Sequence, residues 1–170
     1  GKQLWKSKAA DYKNGQAMTS APLIANGVVL TGIAGGEYGT RGFINGWDLK
    51  TGAKKWHLFT TALPNEKGGD TWKPGMAETG GGPTWLTGTY DPELDLVYWG
   101  TGNGSPWNPA MRGGDSHYIA SVLALKPSTG QVSWHYQFSP GDPYDYDGTN
   151  ELVLGEPPID GKATKVLMQA

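Results

Sequence analysis

The chain has no cysteine among its 170 residues. This excludes a disulfide framework, a thiolate nucleophile and a cysteine-ligated zinc site, and leaves the redox compartment unreadable from thiol usage. Fourteen basic residues stand against 16 acidic ones, for a net charge of −2, and the basic residues form no cluster. A phosphate backbone therefore has nothing to grip, and nucleic-acid binding is excluded as a main activity. No apolar run approaches the ~18 residues of a membrane span, so the chain does not read as membrane-spanning. The three histidines, His57, His117 and His135, lack zinc-ligand spacing and read as surface or satisfied strand residues. Long helices are improbable, because 27 glycines and 12 prolines interrupt every stretch, against a typical glycine share of ~7%.

Eight tryptophans and eight tyrosines, against three phenylalanines, provide ample core-forming surface and argue for a folded chain rather than a disordered one. Tryptophan also marks a repeat. Asp48-Leu49-Lys50-Thr51-Gly52-Ala53-Lys54-Lys55-Trp56 matches Leu125-Lys126-Pro127-Ser128-Thr129-Gly130-Gln131-Val132-Ser133-Trp134 in its Thr-Gly turn and in a tryptophan four residues past the glycine. Gly1-Lys2-Gln3-Leu4-Trp5 is the same unit with its front cut off. In each full copy an apolar strand (Gly42–Trp47 or Ile119–Leu125) enters the turn and a second strand leaves it, a β-hairpin with glycine at the positive-φ position. A third hairpin joins Gly88-Thr89-Tyr90 to Leu96–Gly100 through an Asp91-Pro92 turn. Repeats of ~40 to 50 residues built from short strands mark β-propeller blades. A β-sandwich of hairpins is the alternative. An insertion over about 60–82 lengthens the second interval, so residues 1–170 read as about three blades of one propeller domain. The chain opens on Gly1-Lys2 and closes in an apparent strand, and it reads as an internal piece of a longer protein.

Three loops bring acids or amides together with glycines. In Thr31–Gly39, Glu37 is flanked by glycines that let backbone approach a ligand closely; a solvated turn acid explains it equally well. In Trp99–Asn108, Gly100-Thr101-Gly102 lacks the third glycine and the helix of a dinucleotide loop, and Asn103-Gly104-Ser105 is a sequon too common to carry weight. In Asp142–Glu151 an EF-hand register with Gly148 sixth would put Pro143 first and Leu154 twelfth, so an EF-hand is excluded. Three carboxylates in six residues remain, mutually repulsive unless a cation or helix terminus offsets them; an exposed acidic turn is the plain alternative.

Taken in order, Thr19–Leu23, Gly35–Gly39, Gly80–Trp85, Tyr98–Asn103, Pro106–Asn108 and Asp142–Glu151 resemble the quinoprotein alcohol dehydrogenases, the methanol and ethanol dehydrogenase family that uses pyrroloquinoline quinone (PQQ) with a bound metal ion. The resemblance implies an all-β, eight-bladed propeller with tryptophan-docking repeats, of which this chain is a partial ring. It implies oxidation of primary alcohols to aldehydes, with PQQ as acceptor and Ca²⁺ or a lanthanide ion as Lewis acid. It further implies a periplasmic setting, a small alcohol as substrate and a cytochrome c electron acceptor. Residue by residue, the resemblance implies that Glu37, Asn103, Asp145 and Asp147 are metal ligands and that Asp145 is also the catalytic base beside the metal. Trp85 becomes the platform for the quinone, and Thr19 with the backbone of Ala34, Gly35 and Gly36 its hydrogen-bonding partners. Hard oxygen donors suit Ca²⁺ or a lanthanide and disfavour zinc or copper. Asp147 resembles the lanthanide-dependent members, since a trivalent ion is better neutralised by one more carboxylate; it could instead cap a turn or pair with an arginine. Two positions depart from the family pattern. Pro83 stands where some members have a threonine contacting the quinone, and Ala34 where some have serine. A cofactor-free propeller that scaffolds protein partners is the alternative of a different class.

Overall fold

The computed structural model describes residues 1–170 and is almost entirely β-structure. Strands β1 (Leu23–Ala25), β2 (Val28–Gly32), β3 (Phe43–Asp48) and β4 (Lys54–Phe59) form one antiparallel sheet in chain order. Strands β5 (Thr89–Asp91), β6 (Leu96–Thr101), β7 (Ser121–Leu125) and β8 (Val132–Gln137) form a second of the same topology. Beyond them, β9 (Val153–Gly155) pairs with β12 (Val166–Met168), and β10 (Pro158–Ile159) with β11 (Lys162–Ala163). One helical turn, α1 (Pro109–Arg112), starts on Asn108, whose side chain accepts from the Ala110 N–H.

The burial of each strand follows its residues. Val28–Gly32, Leu96–Thr101 and Ser121–Leu125 are buried at every position, as near-continuous apolar runs covered on both faces must be, while β4 and β8 bury no residue fully and half-bury only Trp56 and Leu58, and Val132, His135 and Gln137. The two sheets pack face to face: Ala25, Val28, Leu30 and Ile44 of the first meet Val97, Trp99, Leu123 and Leu125 of the second in one core. These are two complete four-stranded propeller blades.

Against the roughly three blades expected from the repeat stand two whole sheets and two further two-stranded pairs. The segment around Trp5 pairs with no strand, although its tryptophan docks as the repeat requires. Tryptophan counts docking contacts, whereas a blade needs four paired strands. Trp5 Nε1–H donates to the Leu49 carbonyl at 3.0 Å with its ring over Gly52, and Trp56 Nε1–H donates to Pro127 O at 2.8 Å with its ring over Gly130. Gly52 and Gly130 hold φ of 69° and 71°. Any Cβ at either would enter the stacked indole, so the turn and the docking depend on the same glycine. Trp56→Phe keeps the stacking and removes the hydrogen bond, and is expected to cost about 1 kcal/mol, read as a lowered melting temperature of the full-length protein.

The insertion over 60–82 is a packed lobe. Ala62, Trp72 and Ala77 bury against Ile119 and Ala120, and Trp72 Nε1–H donates to the His117 carbonyl.

Candidate functional site

In an antiparallel meander the second-to-third connection of a blade and the exit from its fourth strand lie at the same end. That geometry gathers four segments that are far apart in sequence: 33–42 between β2 and β3, 80–85 between β4 and β5, 102–108 between β6 and β7, and 142–148 after β8. Glu37 and Asn103 occupy equivalent connections of the two blades, as do Trp85 and the Asp145–Asp147 pair. The docking turns at Gly52 and Gly130 lie at the opposite end.

Backbone hydrogen bonds stitch the segments together. Thr84 N–H donates to Ile33 O at 2.8 Å, Gly82 N–H to Asn103 O at 2.8 Å, Gly102 N–H to Pro83 O at 2.7 Å and Gly148 N–H to Thr101 O at 3.0 Å. Pro83, the departure from the family pattern, has a packing role. Its ring lies against Gly36 on one side and Gly102 on the other, where added Cβ atoms would approach it to 2.8 and 3.0 Å. It thereby spaces the loop of Glu37 from the loop of Asn103.

Glu37 is exposed on a single 3₁₀ turn, Gly36–Tyr38, entered through Gly35 at φ 117°. Asn103 is 4% exposed, with its Nδ2 3.4 Å from Gly104 O. Asp145 is exposed and Asp147 half-buried, and both hold left-handed backbone, at φ 61° and 51°. Aspartate tolerates that region better than most residues, at a cost of about 1 kcal/mol each. Strain of this kind persists where the surroundings dictate it, typically at functional sites.

Asp147 reaches back across the loops: its Oδ1 accepts the Asn103 N–H at 2.6 Å and lies over Gly102. Burial raises its pKa, and the charges of Asp145 and Glu37 raise it further. The Asn103 amide and the Trp85 indole N–H oppose this by favouring the carboxylate. Asp147 thus ties the acidic loop to the Asn103 loop. The Asp145 carboxyl is also raised, first by burial and then by Asp142 and Glu37. None of the four ion pairs in the structure involves Glu37, Asp145 or Asp147. The acids do not converge into a ligating group of three. A group of hard oxygen donors without a basic side chain to balance it fits a Ca²⁺-like or lanthanide cation.

Trp85 is half-buried at the blade junction. The Thr19 hydroxyl donates to its carbonyl at 2.9 Å, which ties Thr19 to the residue expected to carry the quinone. Ala34 exchanges both backbone hydrogen bonds with Ala17. Gly35 and Gly36 are buried, against the Gly15 carbonyl and Pro83 respectively. The histidines are placed as expected of strand and surface residues: His57 shares a 2.7 Å hydrogen bond with Asn45, and His117 and His135 pack against Tyr118.

Residues 3–170 match the family described as PQQ: glucose/ethanol/alcohol dehydrogenase, β-propeller domain. The chain is 44% identical to the quinohemoprotein alcohol dehydrogenase ADH IIB of Pseudomonas putida, a match over all of this chain and 27% of that protein. It is 38% identical to the lanthanide-dependent methanol dehydrogenase of Methylacidiphilum fumariolicum, over 99% of this chain and 31% of that protein. Among solved structures, a europium-containing methanol dehydrogenase superposes with a TM-score of 0.95 at 38% identity, over 99% of this chain and 33% of its own. The chain thus spans about a quarter to a third of the length of the relatives it matches.

Proposed function

The chain belongs to the PQQ-dependent glucose/ethanol/alcohol dehydrogenase β-propeller family, and from this membership we propose that its protein oxidises a primary alcohol to an aldehyde, with PQQ as electron acceptor and a Ca²⁺ or lanthanide ion beside it. The observation that carries the proposal is the gathering of Glu37, Asn103, Asp145, Asp147 and Trp85 at one end of both blades, with the Asp147 carboxylate accepting the Asn103 amide.

When bound, the quinone supplies the two-electron oxidant and the cation its Lewis acidity. Asp145 accepts the hydroxyl proton of the alcohol on a carboxylate oxygen, a role its exposure allows. Glu37, Asn103 and Asp147 hold the cation through side-chain oxygens. Trp85 presents an indole face to the planar quinone, and Thr19 with the loop backbone of Gly35 and Gly36 orients it, the Ala34 N–H being engaged by Ala17. The same reading gives the protein a periplasmic location and a cytochrome c as electron acceptor.

Asp147 supports a lanthanide. One of its oxygens is engaged by the Asn103 amide, and the other adds a negative charge that a trivalent ion uses better than a divalent one. The test is reconstitution of the full-length protein with PQQ and either Ca²⁺ or La³⁺, in the wild type and in Asp147→Ala, followed by alcohol-dependent dye reduction and metal titration. The expected result is activity with PQQ plus metal, and a loss of affinity in the variant about tenfold larger for La³⁺ than for Ca²⁺. Equal losses overturn the lanthanide assignment. A wild-type protein that takes up neither PQQ nor metal overturns the proposed function.

A further inference from the structure

We propose that Arg112 is a positioning residue that clamps the Asn103 loop to the Asp145 loop and thereby sets the spacing of the metal ligands; the inference rests on the proposed metal site. Arg112 ends the single turn of α1 and is 0% exposed, among the largest fully buried side chains in the structure. It nevertheless forms no ion pair. Its guanidinium donates instead to three backbone carbonyls: Nη1 to Pro106 O, and Nη2 to Gly141 O at 3.0 Å and Asp142 O at 2.7 Å.

Those carbonyls belong to the two segments that must be held together. Pro106 follows the Asn103 loop, and Gly104 packs directly against the Arg112 Nε, Cζ and Cδ atoms. Gly141 and Asp142 lead into the acidic loop. Asp142, itself 2% exposed, continues the clamp: its carboxylate accepts the N–H groups of Tyr144 at 3.1 Å and Tyr146 at 3.0 Å, the amides on either side of Asp145. One planar cation therefore fixes the loop of a neutral ligand against the loop of the base, and Asp142 fixes the backbone around the base. Burying a guanidinium without a carboxylate is costly, and an apolar side chain would fill the same space. What the arginine adds is a rigid fork of donors with defined directions.

Two variants of the full-length protein test the clamp. Arg112→Lys keeps the charge and loses the fork. Gly104→Ala places a methyl group whose three nearest neighbours are all atoms of Arg112, so it displaces the guanidinium without deleting it. Hydrogen exchange of residues 141–147 is measured on the metal-free protein, and Tb³⁺ affinity by titration of luminescence. The expected result for both variants is faster exchange at 141–147 and Tb³⁺ affinity weakened about 10- to 100-fold, as for partners that orient metal ligands. If Arg112→Lys does not fold, Gly104→Ala decides the question alone. Unchanged exchange in a folded variant overturns the clamp. Faster exchange with unchanged Tb³⁺ affinity overturns the positioning role and leaves Arg112 a purely structural residue. A wild-type protein that binds no Tb³⁺ overturns the metal-site reading on which the inference rests, while the exchange data still judge the clamp.

Discussion

Asp145→Asn lowers alcohol turnover of the reconstituted full-length protein by about 10²- to 10⁴-fold, the range general-base removal commands, while PQQ uptake persists. The asparagine is the variant of choice because the site demands left-handed backbone, with φ 61° at this position. Asparagine tolerates that region nearly as well as aspartate, whereas alanine adds a backbone cost of about 1 kcal/mol to the chemical one. Asp145 is exposed and its side chain holds no other residue, so the substitution removes the proton acceptor and little of the fold. The same exposure leaves the carboxylate open to substrate. Its pKa is raised by partial desolvation, then by Asp142 and Glu37, and a nearby cation would oppose that shift and favour the ionised form a base requires. The measurement is steady-state dye reduction alongside quinone absorption. Turnover within tenfold of wild type, with PQQ bound, removes Asp145 from the mechanism.

What was legible in the sequence divides along the range of the forces involved. The hairpins were readable because a Thr-Gly turn and a tryptophan four residues later state both the positive φ and the docking partner locally, and Gly52 and Gly130 adopt that backbone. The ordered motifs carried the family. Other features depend on contacts between segments far apart in sequence. Pro83 looked like a missing hydroxyl and proves to be a spacer between two glycines. Asp147, read as a ligand, a turn cap or an arginine's partner, accepts the Asn103 amide from the β6–β7 connection. Arg112 carried no signal, because one arginine in a proline-rich loop reads as solvated until the fold closes over it. The tryptophan spacing reports docking contacts, whereas the number of paired strands in each blade depends on segments that it does not report.

The dependence of the site on close backbone approach leads to the most disruptive substitution expected. Gly100→Ala, in the middle of β6, is predicted to destabilise the protein by several kcal/mol and to dislodge the acidic loop. A Cβ at position 100 would meet the Gly148 carbonyl and, at 2.7 Å, the Thr149 Cα. Both are backbone atoms, so no rotamer change can relieve the clash; either β6 or the 145–149 segment must move. The first option breaks pairing inside a strand buried at all six positions. The second breaks the Gly148 N–H to Thr101 O bond and withdraws Asp147 from the Asn103 amide. The two outcomes are separable. Melting temperature reports movement of β6, while metal affinity and turnover in the folded fraction report movement of the acidic loop. Because Gly100 is fixed by strand pairing with Val122 of β7, whereas Gly148 is held by a single backbone hydrogen bond to Thr101 and by contact with Ser121, the loop is expected to yield first, with activity falling more steeply than stability. A variant with wild-type turnover would show that the acids are positioned independently of the β6 backbone, contrary to the way the two blades are joined here.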